Sequence, residues 1–352
     1  MSTKIPVAVL AATGSVGQRF VQLLDRHPLF EVVALTASDR TTGQKYGQAC
    51  HWILPGDMPG WAAEMTLLPT EAASAATPLA FSALPAEAAL EIEPEFARAG
   101  TLVCSNASAY RNEPDVPILL PEVNPDQAAI LEAQRRRRGW TGGIVTNSNC
   151  TSTGMTVALK ALQDAFGLRR VFAVSMQALS GAGYPGVSAL DIVDNVIPWI
   201  RGEEEKVEWE PRKMLGSLRG EEIVPADFRI SAHTNRVAVV DGHMVCLSIE
   251  LANPATPEEA ARVLAEYQAP EAARDLPSAP RPVIVVRREP DRPQPRLDRM
   301  TGNGMATVVG RVRPDPLFDI KMVVFSHNTI RGAAGGSIYN AELLARLKVI
   351  GR

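Results

Sequence analysis

At 352 residues the chain is too long for one compact core, and two domains are the starting expectation. Lys and Arg (36) nearly balance Asp and Glu (39), and the formal charge of −3 excludes a strongly basic nucleic-acid binder, while 5% aromatic residues leave few rings for stacking on single strands. No apolar run approaches a membrane span, and the start MSTKIPVAVLAATG lacks the features of a secretory signal, so a cytoplasmic protein is expected.

In chain order, KIPVAVLA reads as a strand. SVGQRFVQLLDRH follows as a helix with Val16, Phe20, Val21, Leu23 and Leu24 at helical spacing. FEVVALT is a second strand, and PLAFSA (78–83), TLVCSN (101–106) and GIVTN (143–147) are further ones. PAEAALEIEPEFARAG reads as a helix among them. Strands alternating with helices predict βαβ units and a parallel sheet. The run Arg135–Arg138 reads as a solvated helix end, where cations suit the C-terminal dipole.

The first strand–turn–helix, VAVLAATGSVGQRF, carries the pattern A-x-x-G-x-x-G from Ala11. Gly14 and Gly17 would let backbone approach a pyrophosphate at a helix N-terminus, which predicts dinucleotide binding. The next strand ends in TASDRTTG. There Asp39 suits ribose hydroxyls and Arg40 suits a 2′-phosphate, with Ser38 beside them, so the residues alone leave the choice of cofactor open.

The stretch TNSNCTSTGM (146–155) places Cys150 among small polar residues, where a strand turns into a helix. Helix N-terminal N–H groups stabilise a thiolate and can also receive an oxyanion. The four cysteines, Cys50, Cys104, Cys150 and Cys246, are far apart, with no CxxC and no metal-spaced His/Cys group. Free thiols and no metal are expected.

After one helix to about Phe166, the chain turns to strand-like runs: RRVFAVSMQAL, FRISAHTNRVAVV, HMVCLSIEL, RPVIVVRRE, ATVVGRVR and DIKMVVFS. Several alternate apolar and polar residues, which predicts a mostly antiparallel sheet backed by helices. LDIVDNVIPWI and TPEEAARVLAEYQ read as helices, PDRPQPRLDRM as a proline-rich loop, and IRGAAGGSIYNAELLARL as a glycine-rich entry to a final helix.

A thiolate needs a proton-transfer partner, and histidine is the usual one. Of five histidines, His27 reads as a surface residue at a helix end and His51 as a neighbour of Trp52. His243 ranks first because it follows the turn signal VVDG and opens a strand; His233 ranks second. A dinucleotide domain followed by such a thiol suggests thiolate addition to an aldehyde, hydride transfer and a thioester.

The ordered blocks ATGSVGQRF, FSALP, SNASAYR, LLPEVN, TNSNCTSTG, MQALSGAGYPG, DNVIPWIRGEEEK, NRVAVVDGH and SHNTIRGAAGGS resemble the aspartate-β-semialdehyde dehydrogenase family, in particular its archaeal and fungal branch, nearly end to end. The resemblance implies an α/β fold: an N-terminal Rossmann domain (1–149 and 329–352), and a catalytic and dimerisation domain (150–328) with a mixed, largely antiparallel sheet. It implies reversible NADPH-dependent reduction of 4-phospho-L-aspartate to L-aspartate 4-semialdehyde and phosphate through a Cys150 thioester, on the route to lysine, threonine and methionine. A homodimer or homotetramer acting on a small acyl phosphate or aldehyde is expected, without nucleic-acid or membrane partners.

Carried over residue by residue, the resemblance implies Cys150 as nucleophile, His243 as acid/base and Gln177 as substrate placement. Arg236 would grip the substrate carboxylate, through two parallel hydrogen bonds. Arg111 belongs to the phosphate site, and Asn149 also joins the substrate-binding set. Glu203 and Lys206 of EEEK match the pair for the substrate amino group and phosphate, with Glu204 and Glu205 open as alternatives; without the resemblance EEEK reads as a solvated charged turn. For the cofactor, Thr13, Gly14, Ser15, Val16, Gly17, Ser38, Arg40, Thr41, Ser82, Ser180, Gly181, Gly183 and Asn328 are implied, and the 2′-phosphate contacts favour NADP. Two departures stand out. Ala11 replaces the usual glycine, so a methyl is expected to crowd the turn, and Met244–Val245 replace a polar residue and Glu after the histidine. Malonyl-CoA reductase, with the same thiol and hydride logic, is the alternative activity, and a catalytically inactive dinucleotide-binding sensor the alternative class.

Overall fold

The computed structural model describes residues 4–350. Its first sheet is built from β1 (Ile5–Leu10), β2 (Phe30–Ala37), β3 (Leu68–Pro69), β4 (Leu79–Ser82), β5 (Leu102–Ser105) and β6 (Gly143–Thr146). The spatial order is β3-β2-β1-β4-β5-β6, all pairs parallel. Val7–Leu10, Leu79–Ser82 and Leu102–Ser105 are buried at every position. A sheet covered on both faces requires such continuous burial, and these apolar runs supply it. Helices α1 (Ser15–Leu24), α2 (Ala86–Arg98) and α3 (Ile130–Arg138) belong to this half.

A second sheet follows α4 (Cys150–Phe166). Its strands are β7 (Leu168–Gln177), then, past a small hairpin of β8 (Ser217–Arg219) and β9 (Glu222–Val224), β10 (Arg229–Arg236), β11 (His243–Leu251), β12 (Ile284–Arg287), β13 (Thr307–Pro314) and β14 (Ile320–Ser326). The order is β10-β7-β11-β14-β13-β12, with parallel pairs at both edges and antiparallel pairs between. In β7 and β11 burial alternates: Val171, Ala173, Ser175 and Val245, Leu247, Ile249 face the core, while Phe172, Val174, Met176 and Met244 are half-buried and Cys246 is exposed. α5 (Glu203–Met214) and α6 (Pro257–Glu266) complete this half, α6 opening on a Thr256–Glu259 capping box. The last helix, α7 (Gly335–Arg346), returns to the first half and packs on β4, β5 and α1.

Several expectations change. LDIVDNVIPWI is not a helix: only Ala189–Ile192 turns, Asp194 takes φ 60°, and Ile197 bridges to Arg236. Leu190 is 93% exposed, and Val193, Val196 and Trp199 are also open. EEEK opens helix α5 instead of forming a turn, and the proline-rich loop contains a short helix, Pro295–Asp298, whose buried Asp298 pairs with Arg287 and Arg292. The arginine run does end a helix. It is paired rather than merely solvated: Arg138 holds Asp115 and Glu113, and Arg136 and Arg137 meet Glu221. His27 is buried against Glu342 at 2.9 Å, not on the surface.

Ala11 takes φ 57°, in the left-handed region. Gly17 faces it, and a Cβ there would lie 2.4 Å from the Ala11 carbonyl oxygen, so this glycine is what lets α1 sit on the end of β1. The left-handed conformation costs alanine roughly 1–2 kcal/mol, against roughly 0.4–1 kcal/mol for the greater unfolded-state freedom of glycine. Ala11→Gly is therefore expected to stabilise the protein by about 0.5–1 kcal/mol, read as a higher urea midpoint with unchanged slope.

Candidate active site

Helix α4 begins at Cys150 because Asn149 caps it. The Asn149 Oδ1 accepts the N–H groups of Thr151 (2.9 Å) and Ser152 (3.2 Å), a cap worth about 1 kcal/mol. Strand β6 delivers the chain to this point, and Gly154 lets α4 lie against Ser326 of β14, where a Cβ would be 2.3 Å from its hydroxyl. Cys150 is half-buried. Its Sγ lies 3.1 Å from His243 Nε2.

His243 is buried at the start of β11. Its Nδ1 accepts the backbone N–H of Ala178 at 3.0 Å. An Nδ1 that accepts cannot also carry a proton, so the neutral ring is protonated on Nε2 and presents N–H to the sulfur. Burial pushes the imidazolium down to about 3, with Arg236 and His327 adding to the shift. The thiol is shifted the other way. Burial pushes Cys150 up to about 12, Glu203 adds to it, and Arg111 and Arg236 oppose it. The backbone at the helix start pulls the thiol down, the direction its position predicts, and burial outweighs it.

Around the sulfur, Glu203 is the glutamate of EEEK that turns inward. It accepts from Asn149 Nδ2 (2.7 Å), Gln177 Nε2 (3.4 Å) and Lys206 Nζ (3.0 Å). Glu204 instead accepts the Thr234 N–H, and Glu205 is exposed. Arg236 is buried and donates through Nη1 to the Ala178 carbonyl at 2.7 Å, and burial lowers its pKa. Gly181 lies on both Arg236 and His243: a Cβ would be 2.8 Å from Arg236 Nη1 and 3.0 Å from His243 Cε1. Arg111 is buried too, held by Glu210 and by the Asn106 carbonyl.

A cleft of about 260 Å³ joins the two halves, lined by Ser15, Arg19, Ser180, Gly183, Asp241 and Thr329 among others. Gly14 caps α1 without a side-chain bond, leaving first-turn N–H groups for an anion. Thr13, Gly14, Ser15, Val16 and Gly17 form this turn, and Ser38, Asp39 and Arg40 stand exposed at the end of β2, with Thr41 turned back onto the Ser38 carbonyl. Asn328 ties the far wall, donating to Ser180 Oγ (2.8 Å) and accepting from the Gly242 N–H (2.8 Å). Gly183 takes φ 72°. Ser82 is the exception: it is fully buried and its hydroxyl accepts the Leu84 N–H at 3.5 Å. His233 is exposed on β10, edge-on to Phe172, and His51 is exposed beside Tyr184, so neither joins Cys150. Val245 is core packing, and Met244 lies on the half-open face.

Two contributors were not legible in the sequence reading. Glu210 joins Arg111 to the Asn149 N–H, and Gly332, in the turn Ile330–Ala334, lies against the nucleophile. Glycine blocks in SHNTIRGAAGG hinted at close approach, but not at what is approached.

Fold and site together define a dinucleotide-dependent thiol enzyme. The family model "Semialdehyde dehydrogenase, NAD binding domain" matches residues 6–131, and "Semialdehyde dehydrogenase, dimerisation domain" matches 159–331. The chain is 50% identical to an aspartate-semialdehyde dehydrogenase of Archaeoglobus fulgidus, over 98% of this chain and 99% of that one. To one of Schizosaccharomyces pombe it is 46% identical, over 97% and 98%. It is similar to the crystal structure of aspartate semialdehyde dehydrogenase with NADP from Candida albicans: TM-score 0.90, 42% identity, 99% of this chain and 100% of that one. The chain belongs to the aspartate-semialdehyde dehydrogenase family.

Two outcomes are expected. A methyl group at Gly332 would lie 2.8 Å from Cys150 Cβ and 2.9 Å from its Cα. Gly332→Ala should cut kcat by about 100-fold or more while cofactor binding, followed by fluorescence titration, persists. For a raised thiol pKa the ionised fraction grows with pH, so iodoacetamide labelling of Cys150 in the cofactor-free protein should accelerate about tenfold per unit from about pH 7 to 10. A plateau already at pH 7 would mean the sulfur is ionised at rest.

Proposed function

We propose that this chain catalyses the reversible, NADPH-dependent reduction of 4-phospho-L-aspartate to L-aspartate 4-semialdehyde and phosphate. The observation that carries the reading is the Cys150–His243 pair at 3.1 Å, ringed by Arg236, Glu203, Gln177, Lys206 and Arg111. One sulfur, one proton donor and groups of both signs suit an amino-acid acyl phosphate.

Cys150 Sγ attacks the acyl carbon, the S–C bond forms and the C–O bond to phosphate breaks; the thiol proton leaves with the phosphate as hydrogen phosphate, and a thioester remains. The Nε2–H of His243 stabilises developing negative charge by a hydrogen bond, first on the sulfur and then on the oxygen of the tetrahedral adduct; the Ala178 N–H holds the ring in that tautomer. Arg236 takes the α-carboxylate, Glu203 the ammonium, and Lys206 and Arg111 the phosphate, with Gln177 and Asn149 ordering Glu203. Glu203 favours an amino-acid substrate over a CoA thioester such as malonyl-CoA, which has no ammonium to bind. The first turn at 13–17 and its uncapped N–H groups fit a pyrophosphate, Ser38, Arg40 and Thr41 a 2′-phosphate, and Ser180, Gly181, Gly183 and Asn328 the opposite wall. When bound, the nicotinamide supplies the hydride that converts the thioester to the aldehyde. Ser82 belongs to this set through its position at the end of β4 only.

Residues 1–149 and 329–352 are assigned to the NADP-binding domain and 150–328 to the catalytic and dimerisation domain; residues 1–3 and 351–352 lie outside the described residues. The half-open face of the second sheet (Phe172, Val174, Met176, Met244) and the exposed apolar residues Leu190, Val193 and Trp199 support pairing of two copies as a homodimer, which pairing of dimers extends to a homotetramer. No described helix is long and apolar enough to cross a membrane, and no described group of His, Cys, Asp and Glu could hold a metal. We assign the enzyme to the cytoplasm.

The test is NADP reduction by the semialdehyde, followed at 340 nm. It should require phosphate or arsenate, and Cys150→Ser should abolish it while NADP binding stays measurable. A rate that needs CoA and ignores phosphate would overturn the reading.

A further inference from the structure

Helix α5 touches both the residue before the nucleophile and the loop that carries Arg111. At its first turn Glu203 holds the side chain of Asn149. Two turns later Glu210 is fully buried. Its Oε1 accepts from Arg111 Nη1 at 2.9 Å, and its Oε2 accepts the backbone N–H of Asn149 at 2.5 Å. One planar carboxylate thus spans from the arginine to the residue just before Cys150. Lys213, a further turn along, is buried and donates to the carbonyls of Arg111 (2.7 Å), Glu113 (2.6 Å) and Val116 (2.8 Å). The other end of the guanidinium, Nη2, donates to the Asn106 carbonyl at 2.8 Å.

We propose that Glu210 is a positioning residue that aims Arg111 at the substrate phosphate and locks that aim to the start of the Cys150 helix. The inference rests on the acyl-phosphate reading of the site. A buried carboxylate without its cation is costly, as is the cation without its carboxylate, so Arg111 and Glu210 are held as a unit. Because each oxygen serves a different partner, the carboxylate cannot rotate toward one without losing the other. The distance from the guanidinium to the nucleophile's helix is then set by covalent geometry rather than by a flexible side chain. Glu203 and Lys206 ride on the same helix, so these two substrate-facing groups share one rigid carrier with Glu210. Burial pushes the Glu210 carboxyl up, with Arg111 and the Asn149 N–H pulling against it.

The variant Glu210→Gln keeps the shape but turns an NH₂ toward either Arg111 or the Asn149 N–H, donor against donor. In the oxidative direction its KM for inorganic phosphate should rise about tenfold, while KM for the semialdehyde and for NADP stays within about twofold. Glu210→Asp, which keeps the charge, should recover part of the loss. In an Arg111→Met background, Glu210→Gln should raise the phosphate KM no further, since the group it aims is gone. A brace of purely structural kind would instead lower Tm and raise all three KM values alike. That result, or additive effects of the two substitutions on phosphate KM, overturns the proposal. If Glu210→Gln does not fold, Glu210→Asp alone and combined with Arg111→Met carries the same comparison. A wild-type enzyme with no phosphate dependence would sink the functional reading itself, and is recognised before any variant is made.

Discussion

The site depends on how the first residue of one helix is held. Cys150 starts α4, and the peptide before it is gripped from three directions: Asn149 Oδ1 caps the helix, Glu203 takes its Nδ2, and Glu210 takes its backbone N–H. From the other side Gly332 comes so close that any Cβ on it would meet the Cys150 backbone. A nucleophile works only if its geometry is fixed to a fraction of an ångström. Here that fixing is done by buried hydrogen bonds, which lose most when strained because no water replaces them.

The electrostatics follow from the same enclosure. A buried sulfur prefers to keep its proton and a buried imidazole prefers to lack one, so the pair rests neutral. The Ala178 N–H decides which imidazole nitrogen is protonated and makes His243 a donor toward sulfur. Arg236 and Arg111 favour the thiolate, while Glu203 disfavours it. A substrate that engages these charges changes their balance at the sulfur.

The second sheet gives this centre its frame. β11 carries His243, the paired β7 ends at Gln177, and β10 beside it ends at Arg236. Three strands of mixed direction thus deliver three functional side chains to one end. The turn after β7 brings Ser180–Gly183 across to Asn328, linking the site to the cleft. The half-open face of the same sheet carries Phe172, Val174, Met176 and Met244, which suits packing against a second copy of the chain.

What the sequence alone determined is what local chemistry dictates. Continuous apolar runs such as VAVL read as buried parallel strands, alternation in HMVCLSIEL reads as a strand with one open face, and the glycine spacing at 14 and 17 reads as a backbone that must approach something. Cys150 stood out because small polar residues flanked it, and His243 because a turn preceded it. Tertiary structure alone decided the rest. LDIVDNVIPWI has helical spacing, yet Leu190, Val193, Val196 and Trp199 are exposed and only Ile192 is buried, because periodicity reports that a face is covered and not what covers it. EEEK looks like a charged turn, and only packing against α4 makes Glu203 an inward partner of Asn149 while Glu205 stays in solvent. Glu210 carries no local signal and Gly332 only the hint that something is approached, since their partners lie 61 and 182 positions away in the chain. Long-range pairing of this kind is set by the folded packing of whole elements, and a residue's immediate neighbours in sequence do not encode it.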